Sequence, residues 1–249
     1  MVSADENRTP QRPQRAAILT GCAGLTVVGM HWFETPSELS GGANGSILRR
    51  YLEDSLDLIG RGVMAQTVAF GALVLFVVGL HSLVRDAEFP GRLLSDLAGL
   101  SGALVAVWFW LSGALAAIPL VLADDDGSLA GYSNQVLLSL DPLDRLGQTF
   151  GALATVPRGL LVLAVSILAV RTRFLARWVG YVGLAVAVVS LGAVVVAPFS
   201  LVGPLAFMVW ILLVSAFLLV RAVQDRRRAV AVRPTESVLG GQWHREAAP

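Results

Sequence analysis

Residues 159–190 read GLLVLAVSILAV, then RTRFLARW, then VGYVGLAVAVVS: two apolar runs joined by a loop that carries Arg171, Arg173 and Arg177. Three arginines between two hydrophobic segments hold such a loop on the cytoplasmic side of a bilayer, and alternation then orients every other segment. Working outward from it, the chain reads as an all-α, polytopic integral membrane protein.

Composition agrees. With 55% hydrophobic and 15% charged residues among 249, and a mean hydropathy of +0.68, the chain is more apolar than a soluble domain. A net charge of +1 favours neither nucleic acid nor an acidic substrate, because the charges are segregated by loop and nearly cancel. All 19 basic residues are arginine, the bias of a GC-rich bacterial genome. The single cysteine, Cys22, excludes an intramolecular disulfide. It ends the tetrapeptide LTGC, which resembles a lipobox, but the apolar run continues past it to Phe33, so an uncleaved first span is the simpler reading.

The expected organisation is a disordered cytoplasmic tail over 1–15, a six-helix transmembrane domain over 16–220, and a basic then polar cytoplasmic tail over 221–249. Spans are expected at about 16–33, 62–84, 97–123, 148–170, 178–198 and 201–220, near the length that crosses a bilayer. Two short outer surface helices are expected besides: one from Ser46, as N-cap, through ILRRYLEDSLDLIGR, and one within SLAGYSNQVLLSL, ending near Pro142. With six spans and both termini inside, 14 arginines fall on cytoplasmic segments and four on outer ones (49, 50, 61 and 145), while Arg158 lies within a span.

The third run holds a small repeat, LSGALVA at 100–106 and LSGALAA at 111–117. Eleven residues is close to three turns, which stacks Gly102 over Gly113 and Ala106 over Ala117 as a seam for close helix approach. Trp108 and Trp110, between the copies, are expected to pack against protein. The acidic outer segment with Asp124, Asp125 and Asp126 lacks the spaced oxygens of a calcium loop and reads as a solvated turn.

Arg158 is the costliest residue to place. In a fourth span over 148–170 it sits about 15 Å from the outer end and about 18 Å from the inner one. A guanidinium there must face the bundle interior, a partner or a wet cavity. Pro157 beside it loosens the helix and frees a carbonyl. Two readings stay open: an outward-facing pocket for a lipid head or small anion, with Gln66 and Glu34 as companions, or a structural role, as an ion pair or by snorkelling to the outer interface, with Glu34 or Asp57 as partner. His31 and Glu34 share a helical face at i, i+3, yet no further ligand stands at their depth, so no metal or cofactor is expected. His81, near Asp86 and Asp96, reads as an interfacial histidine. No nucleophile with a histidine at matching depth, no paired intramembrane carboxylates and no HExxH occur, and residues 16–123 show no similarity to 148–220 that would mark inverted repeats.

The segment RTRFLARWVGYVGLAVAVVS resembles the bacterial membrane family catalogued as domain of unknown function 4386, through Arg171, Thr172, Arg173, Arg177, Trp178 and Gly183. Ala176 stands where that family often has proline. The resemblance covers about thirty residues in motif, and implies a six-helix integral membrane protein with no established activity. The functional expectation is a non-enzymatic structural or accessory bundle in the cytoplasmic membrane, its partner the lipid bilayer, including anionic lipid, and not nucleic acid. A small-molecule or lipid transporter using the Arg158 pocket is the alternative.

Overall fold

The computed structural model describes residues 11–31, 45–88, 92–124, 127–192 and 202–240, and all regular structure among them is helical. In chain order the helices are α1 Gln11–His31, α2 Gly45–Ala87, α3 Leu93–Ala116, α4 Ile118–Leu122, α5 Asn134–Leu138, α6 Leu140–Leu153, α7 Thr155–Thr172, α8 Arg177–Gly192 and α9 Val202–Gly240. Among the described residues, four helical stretches are long and apolar enough to cross a membrane: Gly45–Ala87, Leu93–Leu122, Asn134–Thr172 and Val202–Arg228. The chain is a helical membrane protein.

Two of these four stretches are interrupted, Asn134–Thr172 at Ser139 and Ala154 and Leu93–Leu122 at Ala117, and the breaks at Ala117 and Ala154 lie just upstream of a proline. Proline has no N–H to give to the carbonyl four residues earlier, and its ring crowds that carbonyl. Pro119 follows the turn at Ala117 that separates α3 from α4, and Pro157 follows the turn at Ala154 that separates α6 from α7. Neither break disconnects the backbone. Ala117 N donates to Gly113 O at 3.1 Å, and Arg158 N donates to Ala154 O at 3.0 Å.

The helix α7 is the hub. In its stretch 67% of the apolar window is buried within the protein, against 17% for the stretch containing α3. The main core gathers Leu161, Val165 and Leu168 of α7 with Phe76 and Leu80 of α2 and Trp210 of α9. Helices in lipid gain little from the hydrophobic effect and associate through close contact, which small residues permit. Gly183 is the clearest case: a Cβ there would collide with Ser166 Oγ of α7 and lie 2.9 Å from Trp210 Nε1 of α9. On α1, Gly24 admits Ser215 and Phe76 in the same way.

The register of α1 sets the ends of the bundle. Gln14 Nε2 donates to Ala222 O at 2.9 Å, Gly21 meets Leu219, and Gly24 meets Ser215, so α1 runs antiparallel to α9 with its first turn beside residue 222. Thr20 against Gly79 and Gly24 against Phe76 make it antiparallel to α2 as well. The start of α1, the end of α2, the 171–177 turn and the residues of α9 beyond 220 thus share one end, called here the arginine end.

At the other end a second cluster forms a cap. Leu48 and Leu52 from the start of α2 pack with Leu129, Leu137 and Leu140, while Ile118 and Leu122 of α4 close its side. Glu53 Oε1 accepts from Leu129 N at 3.0 Å, and Arg49 Nη2 donates to Tyr132 O. At 1.5 Å per residue α2 is about 64 Å long, twice a hydrocarbon layer of about 30 Å, so part of it must project from the membrane.

These observations correct several expectations. The helix expected on the surface from Ser46 is the start of α2, continuous with the second span, and Ser46 lies inside it instead of capping it. The run expected over 97–123 is α3 and α4, broken at Ala117. The helix expected over 148–170 is α6 and α7, beginning upstream at Leu140 and broken at Ala154, and the helix expected to end near Pro142 is the single turn α5, with Pro142 in the first turn of α6, where proline is tolerated. Residues 11–15, expected within a disordered tail, open α1. Beyond Val220, α9 continues as helix to Gly240.

The α2–α3 turn gives a pH prediction. Arg92, the N-cap of α3, offers no capping side chain; Glu88 supplies one, its carboxylate accepting from Leu94 N at 3.2 Å and Ser95 N at 2.8 Å. Partial burial works against the charge of Glu88, but the N–H donors of Ser95 and Leu94 and the charge of Arg171 outweigh it and hold its carboxyl below the usual glutamate value. A carboxyl depressed on folding stabilises the fold above its unfolded value, and that contribution is lost as pH falls through the folded value. Acid unfolding should therefore show a contribution from Glu88 at pH below the ordinary glutamate range. The Glu88→Gln variant should lose about 1 kcal/mol near neutral pH, as for a lost cap, and flatten that acid limb.

Candidate functional site

Arg158 stands one turn into α7, just after the kink, and is 8% exposed. It lies 14 residues from Thr172, about 21 Å along the helix, so a layer of about 30 Å measured from the arginine end contains it, nearer the cap side. Its guanidinium carbon lies 5.8 Å from the ring centroid of Phe207 on α9, within range of a cation–π contact. Phe207 stacks on Trp210 with centroids 6.0 Å apart and planes at 20°, and Trp210 meets Phe76 of α2 edge-on at 6.4 Å and 88°. A buried column thus links α7, α9 and α2: guanidinium, phenyl, indole, phenyl. The negative faces of the rings partly offset the cost of burying a cation.

The other residues expected at this site separate. Gln66 is on α2 against α3, where its Nε2 donates to Phe109 O at 3.5 Å. Glu34 lies outside the described residues. Asp57 is exposed on α2, and its carbonyl accepts from Arg61 Nε at 3.3 Å. Of the repeat in α3, Gly102 sits against Val77 and Gly113 against Gln66, both on α2, while Ala106 is buried and Ala117 is the turn residue before α4. Trp108 packs on Phe150 of α6 at 5.2 Å, whereas Trp110 is 56% exposed, contrary to expectation. His81 rests with Nδ1 3.0 Å from Ser95 O, a contact that needs the proton on Nδ1.

No family model, curated protein or solved structure matches the chain.

Sequence reasoning found Arg158 but missed its aromatic support. An aromatic residue inside an apolar run has the same local signature whether it faces lipid or core. The topology arginines were also found only as charges. In the structure Arg171 lies in the last turn of α7, Arg173 caps that helix in the left-handed conformation at φ 56°, and Arg177 opens α8.

Proposed function

We propose that the chain is a six-span, non-enzymatic accessory bundle of a bacterial cytoplasmic membrane, with both termini inside and a buried anion site at Arg158 reached from the outer, cap side. Burial of Arg158 at the α6–α7 kink carries the reading of the site, because a guanidinium held inside a membrane helix is retained for a partner, a ligand or a wet cavity. The interrupted helix supplies backbone groups freed from the regular ladder, the usual surroundings of a polar site at membrane depth. Two features support six spans: α1 and α8 contribute Ala23, Val27 and Ala187 to the same core as the longer helices, and the first turn of α1 lies beside residue 222. The resemblance of residues 171–183 to the family of unknown function points the same way.

The interrupted fourth span also favours transport as a second reading, since transporters bind substrate at broken helices. Native mass spectrometry of the purified protein and its Arg158→Leu variant tests the site. A lipid or small anion retained by the wild type and lost in the variant is expected. An identical adduct pattern in both, with the variant at least as stable, would reduce Arg158 to a structural residue.

A further inference from the structure

At the arginine end lies a cavity of about 490 Å³ whose wall carries Arg173, Arg177, Arg221 and Arg228 and a single acidic residue, Asp225. We propose that it is a binding site for a phosphate group, that of an anionic phospholipid head. The site is separate from Arg158 and does not depend on the six-span reading.

The arginines converge from distinct elements. Arg221 and Arg228 are seven residues apart on α9, two turns, and so share one face with Gln224 and Asp225 between them. Arg173 and Arg177 come from the opposite side, at the end of α7 and the start of α8. The link between those helices is pinned twice, by the buried Leu175 and by Arg221 Nη1, which donates to Phe174 O. Asp225 lies 4.0 Å from Arg221 Nε, with both side chains about half exposed, so it answers one guanidinium weakly.

Retention on the cytoplasmic side accounts for how many arginines the end carries, not for their meeting around one cavity, where like charges repel. Backbone conformation adds an independent sign. Arg173 is the only non-glycine residue with positive φ among those described, a conformation that costs an L-residue about 1–2 kcal/mol and that glycine would adopt freely at a helix end. Arginine there brings a planar, permanently charged fork to the cavity, suited to bidentate contact with phosphate oxygens. Phe217 and Val220, from the last apolar turns of α9, supply the apolar wall together with Leu175 and Ala176 of the α7–α8 link. A charged rim over an apolar wall continuous with a membrane helix fits a phosphate that carries acyl chains.

The test is native mass spectrometry of the full chain in detergent equilibrated with phosphatidylglycerol or with phosphatidylcholine of the same acyl chains, beside thermal unfolding with added inorganic phosphate. Wild type should retain phosphatidylglycerol preferentially. The preference should fall about 30-fold in Arg173→Gln/Arg177→Gln, and persist in Arg226→Gln/Arg227→Gln, which removes equal charge outside the cavity. It should also persist in Arg158→Leu, which separates this site from the one above. Arg173→Gly should bind less while unfolding no earlier than wild type, which rules out misfolding as the cause. Stabilisation by inorganic phosphate that needs Arg173 and Arg177, without lipid selectivity, would keep the phosphate site and overturn its lipid source. Equal losses in the two double variants, or no preference and no phosphate effect in wild type, would overturn the site itself.

Discussion

Trp210→Ala should destabilise the solubilised protein by about 3–5 kcal/mol, the cost of emptying a fully packed aromatic site. Trp210 is buried where α9 meets α2 and α8, with Phe76 on its edge and Phe207 on its face. Removing the indole takes from Phe76 and Phe207 the ring they share and loosens the ring on which Arg158 rests. The control is Trp110→Ala, on an exposed face of α3, which should shift stability by no more than about 0.5 kcal/mol. Unfolding of both variants in graded denaturing detergent checks the contrast. Equal effects would mean that α9 is rotated from the orientation described.

Gly183→Leu should be nearly as damaging, by about 3 kcal/mol or through failure of α8 to dock. The new side chain would have to displace Ser166, whose Cβ as well as Oγ lies in its way, on one helix and Trp210 on another. Gly71 offers the opposite case, since nothing lies within 4 Å of a Cβ built there. Gly71→Ala should therefore stabilise α2 by about 0.5–1 kcal/mol, the usual gain for replacing a mid-helix glycine. The same measurement ranks the pair, and a tolerated Gly183→Leu would contradict the close α7–α8–α9 contact.

How much of this was legible depended on whether the determinant was local. The spans over 62–84 and 201–220 were, because uninterrupted apolar length is a property of the run itself. The helix breaks were half legible: Pro157 announces trouble with a carbonyl one turn earlier, and the turn at Ala154 sits where that reasoning puts it, whereas the apolar run over 97–123 reads as one unbroken span and gives no sign of the turn at Ala117. The continuity of α2 was not. Gly60, Arg61 and Gly62 look like punctuation between a surface helix and a span, yet a helix tolerates each glycine for about 1 kcal/mol when both flanks are held, here by the cap cluster and by the core. Likewise, the polar composition after Val220 reads as a tail, and only the helical continuation of α9 brings Arg221 and Arg228 opposite Arg173 and Arg177. For Arg158, sequence marked the cost of burial but not the ring of Phe207, whose placement depends on how α9 is rotated against α7.

The most direct test of the account is the sidedness of the two ends of the bundle. With Cys22 replaced by alanine, single cysteines Ser128→Cys in the cap and Thr172→Cys at the arginine end are exposed to a membrane-impermeant maleimide, in intact cells and in inverted vesicles. Ser128→Cys should label only from outside and Thr172→Cys only from the cytoplasmic side. Labelling of both from the same side, or of each from the opposite one, would contradict the proposed topology, and with it the outward access to Arg158.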